Sequence, residues 1–507
     1  MLDRESQMER DIYLRNLLTS YQGPLTNKLS VDKPYLQFYE EYELKEDISQ
    51  GSLYNYLINR NKHASSSTCI NYFGKKESYQ ELISNIDKTA AAFYTKGIRK
   101  RNVVTICMPF TPEFVYTFYA LNKLGAIANI VDPKSDIKVL EKCIKDTESK
   151  DIVIIAESTL QEKIANLNKQ IDFRNIISVS PYNSMNMVMK NYGKLKISKF
   201  IKWDDFIKER DNLIDTYKYE ENSPVCIIYS NTMSENPKGV ILSNENINYM
   251  SLFYKQSVNT TKRGDKFLQL VPPYTSLGLV ASFHCQFGAG SEIIMEPKNN
   301  INPKKISKLI TKYRPEYIII PPDLLKNLYI QDPFPSDYNL SFIKGLIVSA
   351  DIDKELEKNI NEYLRLHRAN IKLTKGLGKN EISSCMTYTK DYRCNTLSSV
   401  GIPLSKNTIK VLPLLKEGET FDINRQELPY IAEGELVISG PTIMLGYNNV
   451  VEDENTIYYD KNNTAWLRTG YIVKVNNKGI IFPIKKLFRD NTPPKNKNMK
   501  VLRREKQ

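Results

Sequence analysis

Tyr229-Ser-Asn-Thr-Met-Ser-Glu-Asn-Pro-Lys-Gly239-Val240 follows one β-rich apolar run, Val225–Ser230, and leads directly into another, Val240–Ser243. Hydroxyl side chains followed by Pro-Lys-Gly in a strand–loop–strand setting suit a loop that cradles phosphate. Backbone N–H groups and the hydroxyls of Ser230, Thr232 and Ser234 would wrap the anion, and Lys238 would add a point charge. The GxxxxGK[ST] spacing of a Walker loop is absent. Taken alone the stretch also fits a generic polar turn, so its surroundings must decide.

Upstream, Ser78-Tyr-Gln-Glu81 has capping-box spacing, and Leu82, Ile86, Ala90 and Phe93 share one helical face before Gly97. Val103–Met108 reads as a strand. Thr111-Pro112-Glu113 opens a second helix that Gly125 closes. Ala126–Val131, Ile152–Ala156 and Ile176–Val179 are further strand-like runs, with a helix over 136–148. Strands that alternate with helices and are apolar along their length predict parallel sheets covered on both faces. The alternation restarts after a polar stretch at 181–222, with helices over 304–314, 322–330 and 354–367 and strands at Tyr317–Ile320 and Leu346–Ser349. Beyond about residue 395 short strands and turns take over: Ser399–Ile402, Thr408–Leu412, Glu435–Ser439, Tyr471–Val475 and Gly479–Phe482. The expectation is α/β: two doubly wound subdomains plus a small distorted β-barrel. Residues 1–49 read as an N-terminal helical extension, 50–484 as the large domain, and 485–507 as a hinge remnant with a basic, disordered end.

Several classes drop out on composition. The chain has 507 residues, 41% hydrophobic and 25% charged, which is ordinary globular composition. No run of 18 uninterrupted apolar residues predicts a transmembrane segment, and the N-terminus lacks an apolar signal core, so a cytoplasmic location is expected. The net charge of +13 is concentrated at the end, where nine Lys/Arg face only Asp490 and Glu505 between Lys485 and Gln507. That end lacks the interleaved aromatics of a nucleic-acid platform, so no specific nucleic acid is expected. Seven cysteines form no CxxC pair and read as reduced core residues. His63, His284 and His367 are too scattered for a histidine metal site, and His284 reads as a satisfied core histidine.

In order along about residues 50–490, this chain resembles the adenylate-forming (AMP-binding) superfamily, which includes acyl- and aryl-CoA ligases. Tyr229, Pro237, Lys238, Gly239 and Val240 match the family loop Tyr-Thr-Ser-Gly-Thr-Thr-Gly-x-Pro-Lys-Gly-Val. Phe110-Thr-Pro-Glu-Phe and Lys123-Leu-Gly-Ala-Ile look like its first nucleotide-domain landmarks. Leu270-Val-Pro-Pro-Tyr-Thr-Ser-Leu-Gly278 resembles the stretch that shapes the acyl pocket, which points to Tyr274, Thr275 and Gly278 as lining. Gly376-Leu-Gly-Lys-Asn-Glu381 resembles Gly-Tyr-Gly-Met-Thr-Glu. That implies phosphate contact near Gly378 and Asn380, and magnesium at Glu381. Ser399–Leu404, Gly434–Gly440 and Trp466–Gly470 complete the order. The resemblance implies ATP and Mg2+ as cofactors, a hydrophobic or fatty carboxylic acid as substrate, an acyl-adenylate intermediate, and coenzyme A as thiol acceptor.

The same resemblance predicts impairment. Thr232 and Glu235 stand where the family has glycine, and Glu235 brings negative charge toward a triphosphate. Asn380 replaces the phosphate-touching threonine, and Leu377 the tyrosine beside adenine. Tyr471 replaces the ribose-clamping aspartate and Lys486 the ribose-contacting arginine, without its bidentate fork. The family's mobile lid and its lysine are also missing after Arg489, so no catalytic residue is assigned and a separate lid or carrier protein is an alternative source. Weak ATP binding follows. Two readings stay open: an acyl-CoA synthetase-like ligase, or an impaired homologue that serves as a ligand- or protein-binding module.

Overall fold

Ser78 and Glu81 exchange the two bonds their spacing predicts: the Ser78 N–H donates to Glu81 Oε2 at 2.8 Å and the Glu81 N–H to Ser78 Oγ at 3.2 Å. The helix Tyr79–Thr95 that they start buries Leu82, Ile86, Ala90 and Phe93. Thr111 caps the next helix, Pro112–Leu124, with its Oγ1 accepting from the Phe114 N–H, and Gly125 ends it in the left-handed conformation at φ 69°. The structure, a computed structural model, describes residues 26–186, 188, 200–209, 217–230, 236–258, 260–297, 301–349, 352–416, 418–448 and 456–487. Thr232, Ser234, Glu235 and the basic end from 488 onward lie outside the described residues.

Two mainly parallel sheets carry the architecture. The first runs, in spatial order, Gly446–Asn448, Lys238–Ser243, Pro224–Ser230, Ile127–Ile130, Val103–Cys107, Asp151–Ile155, Asn175–Val179 and Ile201–Lys202. The second runs Thr374–Lys375, Gly345–Val348, Tyr317–Ile319, Lys266–Leu268, Glu292–Met295, Thr68–Tyr72 and Lys75–Ser78. Every residue of Asp151–Ile155 and Asn175–Val179 is buried, as a strand covered on both faces requires. Each fully buried isoleucine or valine contributes about 1.5–3 kcal/mol relative to exposure.

The chain does not divide where the alternation restarts. Pro224–Ser230 and Lys238–Ser243 belong to the first sheet, Pro224–Ser230 lying parallel to Ile127–Ile130, although they follow the polar stretch. Conversely, Thr68–Tyr72 crosses to the second sheet and pairs in parallel with Glu292–Met295. Spatial neighbours of a parallel strand come from distant crossovers, and local periodicity carries no record of them.

A third, antiparallel sheet joins Thr408–Leu412, Gly434–Ser439, Ala465–Val475 and Ile457–Tyr459, with Ile481–Lys486 also pairing on Ala465–Val475. The expected small barrel is, among the described residues, an open path of strands. Ser399–Ile402 yields only the two-residue strand Ile402–Pro403, whereas the strand expected at Tyr471–Val475 begins six residues earlier, at Ala465. The described part of the N-terminal extension, from residue 26, lies on this unit as three short helical pieces, Leu29–Asp32, Pro34–Phe38 and Glu41–Lys45. Tyr35 Oη donates to the Asn407 carbonyl at 2.7 Å and Tyr39 Oη to the Pro403 carbonyl at 2.8 Å. Glu43 and Lys390 form an ion pair at 2.7 Å with both side chains nearly enclosed.

All seven cysteines are free, six of them buried. Leu277–His284 winds as a wide π turn that continues as Cys285–Ala289. On it, His284 is fully enclosed. Its Nδ1 meets Tyr119 Oη at 2.8 Å and its Nε2 meets Asn248 Oδ1 at 3.1 Å, the satisfied core histidine that its setting suggested. Burial pulls its pKa down from 6.5 to about 3. The unfolded chain therefore binds a proton that the folded one refuses between those values, so stability is complete above pH 6.5 and falls as pH drops toward 3. His284→Gln should remove about 1.4 kcal/mol per pH unit from that acid slope. Urea titrations at pH 7, 6 and 5 test it, and equal slopes for variant and parent would contradict the assignment.

Candidate nucleotide and acid site

Ser230 and Lys238 face each other as cross-strand partners at the mouth of the loop quoted first, so the loop leaves one strand of the first sheet and re-enters the neighbouring one. Gly239 is required where it lies: a Cβ there would come within 2.9 Å of the Ile227 side chain. Tyr229 is buried, and its hydroxyl donates to Asn129 Oδ1 at 2.8 Å and to the Cys143 carbonyl at 3.1 Å. Burial, followed by its neighbours, holds that phenol well above its usual pKa. The tyrosine that opens the loop is thus an anchor into the sheet.

The loop Gly376–Glu381 comes from the second sheet and meets this mouth. The Asn380 side-chain amide bridges two backbones: Nδ2 donates to the Tyr229 carbonyl at 2.9 Å, and Oδ1 accepts from the Ser276 N–H at 2.9 Å. A threonine hydroxyl also donates and accepts, but from a single oxygen, whereas the carboxamide does so from two separate atoms. Glu381 follows, 5% exposed; its Oε1 accepts from Tyr447 Oη at 2.9 Å, and its carbonyl accepts from the Met444 N–H at 2.9 Å. The ammonium of Lys238 lies 5.3 Å from the centre of the same Tyr447 ring, within cation–π range. Tyr447 therefore touches both the candidate phosphate cation and the candidate metal carboxylate from the short strand Gly446–Asn448. Sequence reasoning missed it, since nothing in Leu445-Gly-Tyr447 points to Glu381; only the pairing of Tyr447 with Val240 does.

The backbone beside this loop is strained. Ser383 and Ser384 have φ 58° and 129°, regions that cost non-glycine residues about 1–3 kcal/mol each and that cluster at functional sites. Gly378 packs against that turn: a Cβ would sit 1.7 Å from the Ser384 carbonyl oxygen. Lys379, also unremarked in the sequence, reaches across to the third sheet, its Nζ 3.2 Å from the Thr469 carbonyl. Two residues on, Tyr471 pairs directly with Lys486, whose Nζ lies 5.4 Å from the tyrosine ring centre.

Two cavities flank the junction. One of 40 Å³ is lined mainly by apolar groups, including Leu277, Ala281, Cys285, Cys385 and Tyr388. The other, of 990 Å³, lies at the carboxyl ends of strands of both sheets, where open α/β folds bind ligands. Tyr274 lines this larger one, with burial and the Asp132 carboxylate holding its phenol well above the usual range. Thr275 uses its hydroxyl locally, donating to the Pro272 carbonyl at 3.2 Å and accepting from the Gly278 N–H at 3.1 Å. Gly278 is buried with its α-carbon against Pro272, where a Cβ would come to 1.8 Å from the carbonyl oxygen. Both shape the turn that presents Tyr274 and Leu277, and neither is among the lining of these two cavities.

Residues 59–448 match the AMP-binding enzyme family. The chain belongs to that family. This AMP-binding chain is 23% identical to a long-chain-fatty-acid–CoA ligase of Bacillus subtilis (strain 168) over 428 residues, covering 82% of this chain and 73% of that protein. It is 25% identical to a probable CoA ligase of Humulus lupulus over 419 residues, covering 82% and 70%. Among solved structures, a long-chain-fatty-acid-CoA ligase from Archaeoglobus fulgidus superposes with a TM-score of 0.74 at 19% identity, over 87% of this chain and 85% of that one. A benzoate CoA ligase from Burkholderia xenovorans LB400 gives 0.71 at 13% identity, over 86% and 80%. These structures share the fold, and the α/β expectation stands. No helix among the described residues is long and apolar enough to cross a membrane.

Asn380→Ala should strip the Tyr229 carbonyl and the Ser276 N–H of their shared partner and cost about 1–3 kcal/mol. A urea midpoint unchanged from the parent would mean that the amide does not hold the junction.

Proposed function

We propose that this chain binds ATP and a hydrophobic carboxylic acid at the junction around Asn380 and joins them into an acyl-adenylate with release of pyrophosphate, coenzyme A then accepting the acyl group as a thioester with release of AMP. The observation that carries this reading is the Asn380 bridge. It ties the strand Pro224–Ser230, at Tyr229, to the turn at Ser276 beside the carboxylate of Glu381, with a small apolar cavity next to it and a larger one at the strand ends.

The chemistry needs two anions brought together: a carboxylate oxygen attacks the α-phosphorus, and the bond to pyrophosphate breaks. Positioned positive charge and hydrogen-bond donors lower that barrier, and Lys238 at the loop mouth is suited to the phosphates. Among the described residues no group of three His, Cys, Asp or Glu could enclose a metal ion. A lone carboxylate does suit magnesium, which is commonly carried by one or two carboxylates together with substrate phosphates and water. Glu381 would hold it, and the ion would neutralise phosphate charge. Ser230 and the hydroxyls of Thr232 and Ser234 would donate to the phosphates; Gly378 and Asn380 would border them, and Tyr471 and Lys486 would border the ribose. The 990 Å³ cavity that Tyr274 lines has the room to take the acid.

A second reading, an impaired homologue that binds ligand without efficient turnover, is favoured by Tyr471. Its ring lies by Lys486 where the resemblance places a ribose-clamping carboxylate, and a phenol cannot accept two ribose hydroxyl bonds at once.

Calorimetry with magnesium-ATP, followed by acid-dependent pyrophosphate release over a panel of fatty and aryl acids, separates the two. The ligase reading expects measurable ATP binding, high micromolar or weaker, and pyrophosphate release that depends on both ATP and an acid. Tyr471→Asp should tighten ATP by about tenfold or more, the worth of one charge-assisted hydrogen bond. Binding without release for any acid selects the second reading, and absence of nucleotide binding removes the first.

A further inference from the structure

Phe73 stands in a backbone conformation that a bulky side chain disfavours. Tyr72 pairs directly with Lys75, so the strands Thr68–Tyr72 and Lys75–Ser78 are joined by the two residues Phe73 and Gly74. Both have positive φ, 52° at Phe73 and 90° at Gly74. That is the pattern of a type I′ hairpin turn, whose first central position favours asparagine, aspartate or glycine. The turn is held shut by the Gly74 N–H, which donates to Asn71 Oδ1 at 3.0 Å. A phenylalanine at positive φ is uncommon and costly, and cost of this kind gathers at sites that bind or clamp a ligand.

The ring that this turn presents lines the 990 Å³ cavity. It is half-buried and meets the Tyr72 ring edge-on, with centroids 4.9 Å apart. Tyr72 is itself fixed, buried and donating through its hydroxyl to the Pro181 carbonyl at 2.8 Å. The Phe73 N–H reaches the Met295 carbonyl at 3.4 Å, which ties the turn to the end of Glu292–Met295, and Met295 lines the same cavity. Glu296 lines it too, but its carboxylate is engaged by Lys312 and Tyr313. Tyr274 stands on the other side, two residues before the Ser276 N–H that Asn380 holds. The chain reaches Tyr274 from Lys266–Leu268 and Phe73 from Thr68–Tyr72, and Glu292–Met295 lies between those two strands. Neighbouring strands are about 5 Å apart, so about 10 Å of sheet separates the two ends of the cavity.

We infer that Phe73 is a specificity-determining residue of this chain, contacting the far hydrocarbon end of an acid whose carboxylate lies on the Tyr274 side, so that long acids are selected over short ones. The inference rests on the acid-binding reading proposed above and adds to it the residue that measures the acid.

Butanoate and dodecanoate carry the same carboxylate and differ in reach. The purified full chain, Phe73→Asn and Phe73→Leu would each be titrated with both by calorimetry, with thermal melting alongside. The parent should bind dodecanoate more tightly than butanoate. Phe73→Asn should weaken dodecanoate by about tenfold, the worth of about two buried methylenes, and leave butanoate within about twofold. It should melt no lower than the parent, because asparagine before glycine suits the turn. Phe73→Leu should keep dodecanoate within about threefold of the parent, since an apolar contact is retained. The inference is overturned if Phe73→Asn binds dodecanoate as the parent does, or if the parent does not prefer the longer acid. Parallel weakening of both acids, a melting point below the parent's, or an equal loss in Phe73→Leu would mark the ring as structural and overturn it as well. A parent that binds ATP but neither acid defeats the acid reading, and the inference with it; a parent that prefers dodecanoate while the variants match it defeats the inference alone.

Discussion

The Asn380 carboxamide is the contact on which the site geometry depends. A carboxamide presents a donor and an acceptor in one plane, and here each end holds the backbone of a different segment: Tyr229 on the strand Pro224–Ser230 of the first sheet, and Ser276 at the turn into the helix Leu277–His284. Two packed α/β layers have many ways of sliding over one another, because apolar contact is not directional. Directional bonds to main-chain groups remove that freedom at the point where a ligand would need it fixed. Ser276 Oγ adds a bond to the Lys379 carbonyl at 3.3 Å, so the loop and the turn are tied twice.

Around this point the structure accepts local cost. Ser383 and Ser384 occupy unfavourable backbone regions, and Gly378 and Gly278 each lie so close to a carbonyl that no side chain fits. Such strain persists only where surrounding packing over-determines the backbone. Here that packing is supplied by three interlocked units. The third sheet is held to the rest by Lys379 at one end and by the N-terminal pieces at the other, through Tyr35, Tyr39 and the buried pair of Glu43 with Lys390. A second buried pair, Lys375 with Glu357, lies immediately before the Gly376–Glu381 loop, and its carboxylate also accepts from the Ser398 N–H. Buried ion pairs add little net stability over apolar substitutes, but a mispaired register would strand a charge, which makes them specifiers of arrangement.

The chain carries the family's scaffold. Its lysines at 238, 379 and 486 and its tyrosines at 447 and 471 meet as three cation–ring or cation–carbonyl contacts around one junction. A phenol ring offers a cation an attractive face, and Tyr447 does so for Lys238 while its hydroxyl holds the Glu381 carboxylate.

Much of this is legible in the sequence. Capping at Ser78 and Thr111, the left-handed stop at Gly125, the buried parallel strands and the order of the motifs follow from short-range rules: one side chain reaching three residues along, or a β-rich run needing cover on both faces. The membership of each sheet was not legible. Thr68–Tyr72 joined Glu292–Met295, and Pro224–Ser230 joined Ile127–Ile130, because parallel pairing is decided by crossovers that leave no local trace. The same limit hid Tyr447 and Lys379. Their residue types were plain in the sequence, but Tyr447 gained meaning only when its strand paired with Val240 and brought its hydroxyl to Glu381, and Lys379 only when its loop crossed to Thr469. Sequence alone determined the elements, their caps and the candidate phosphate loop, because those depend on neighbours a few residues apart. Tertiary structure alone decided which polar groups meet, because hydrogen bonds and charge contacts act over a few ångströms between segments hundreds of residues apart in the chain.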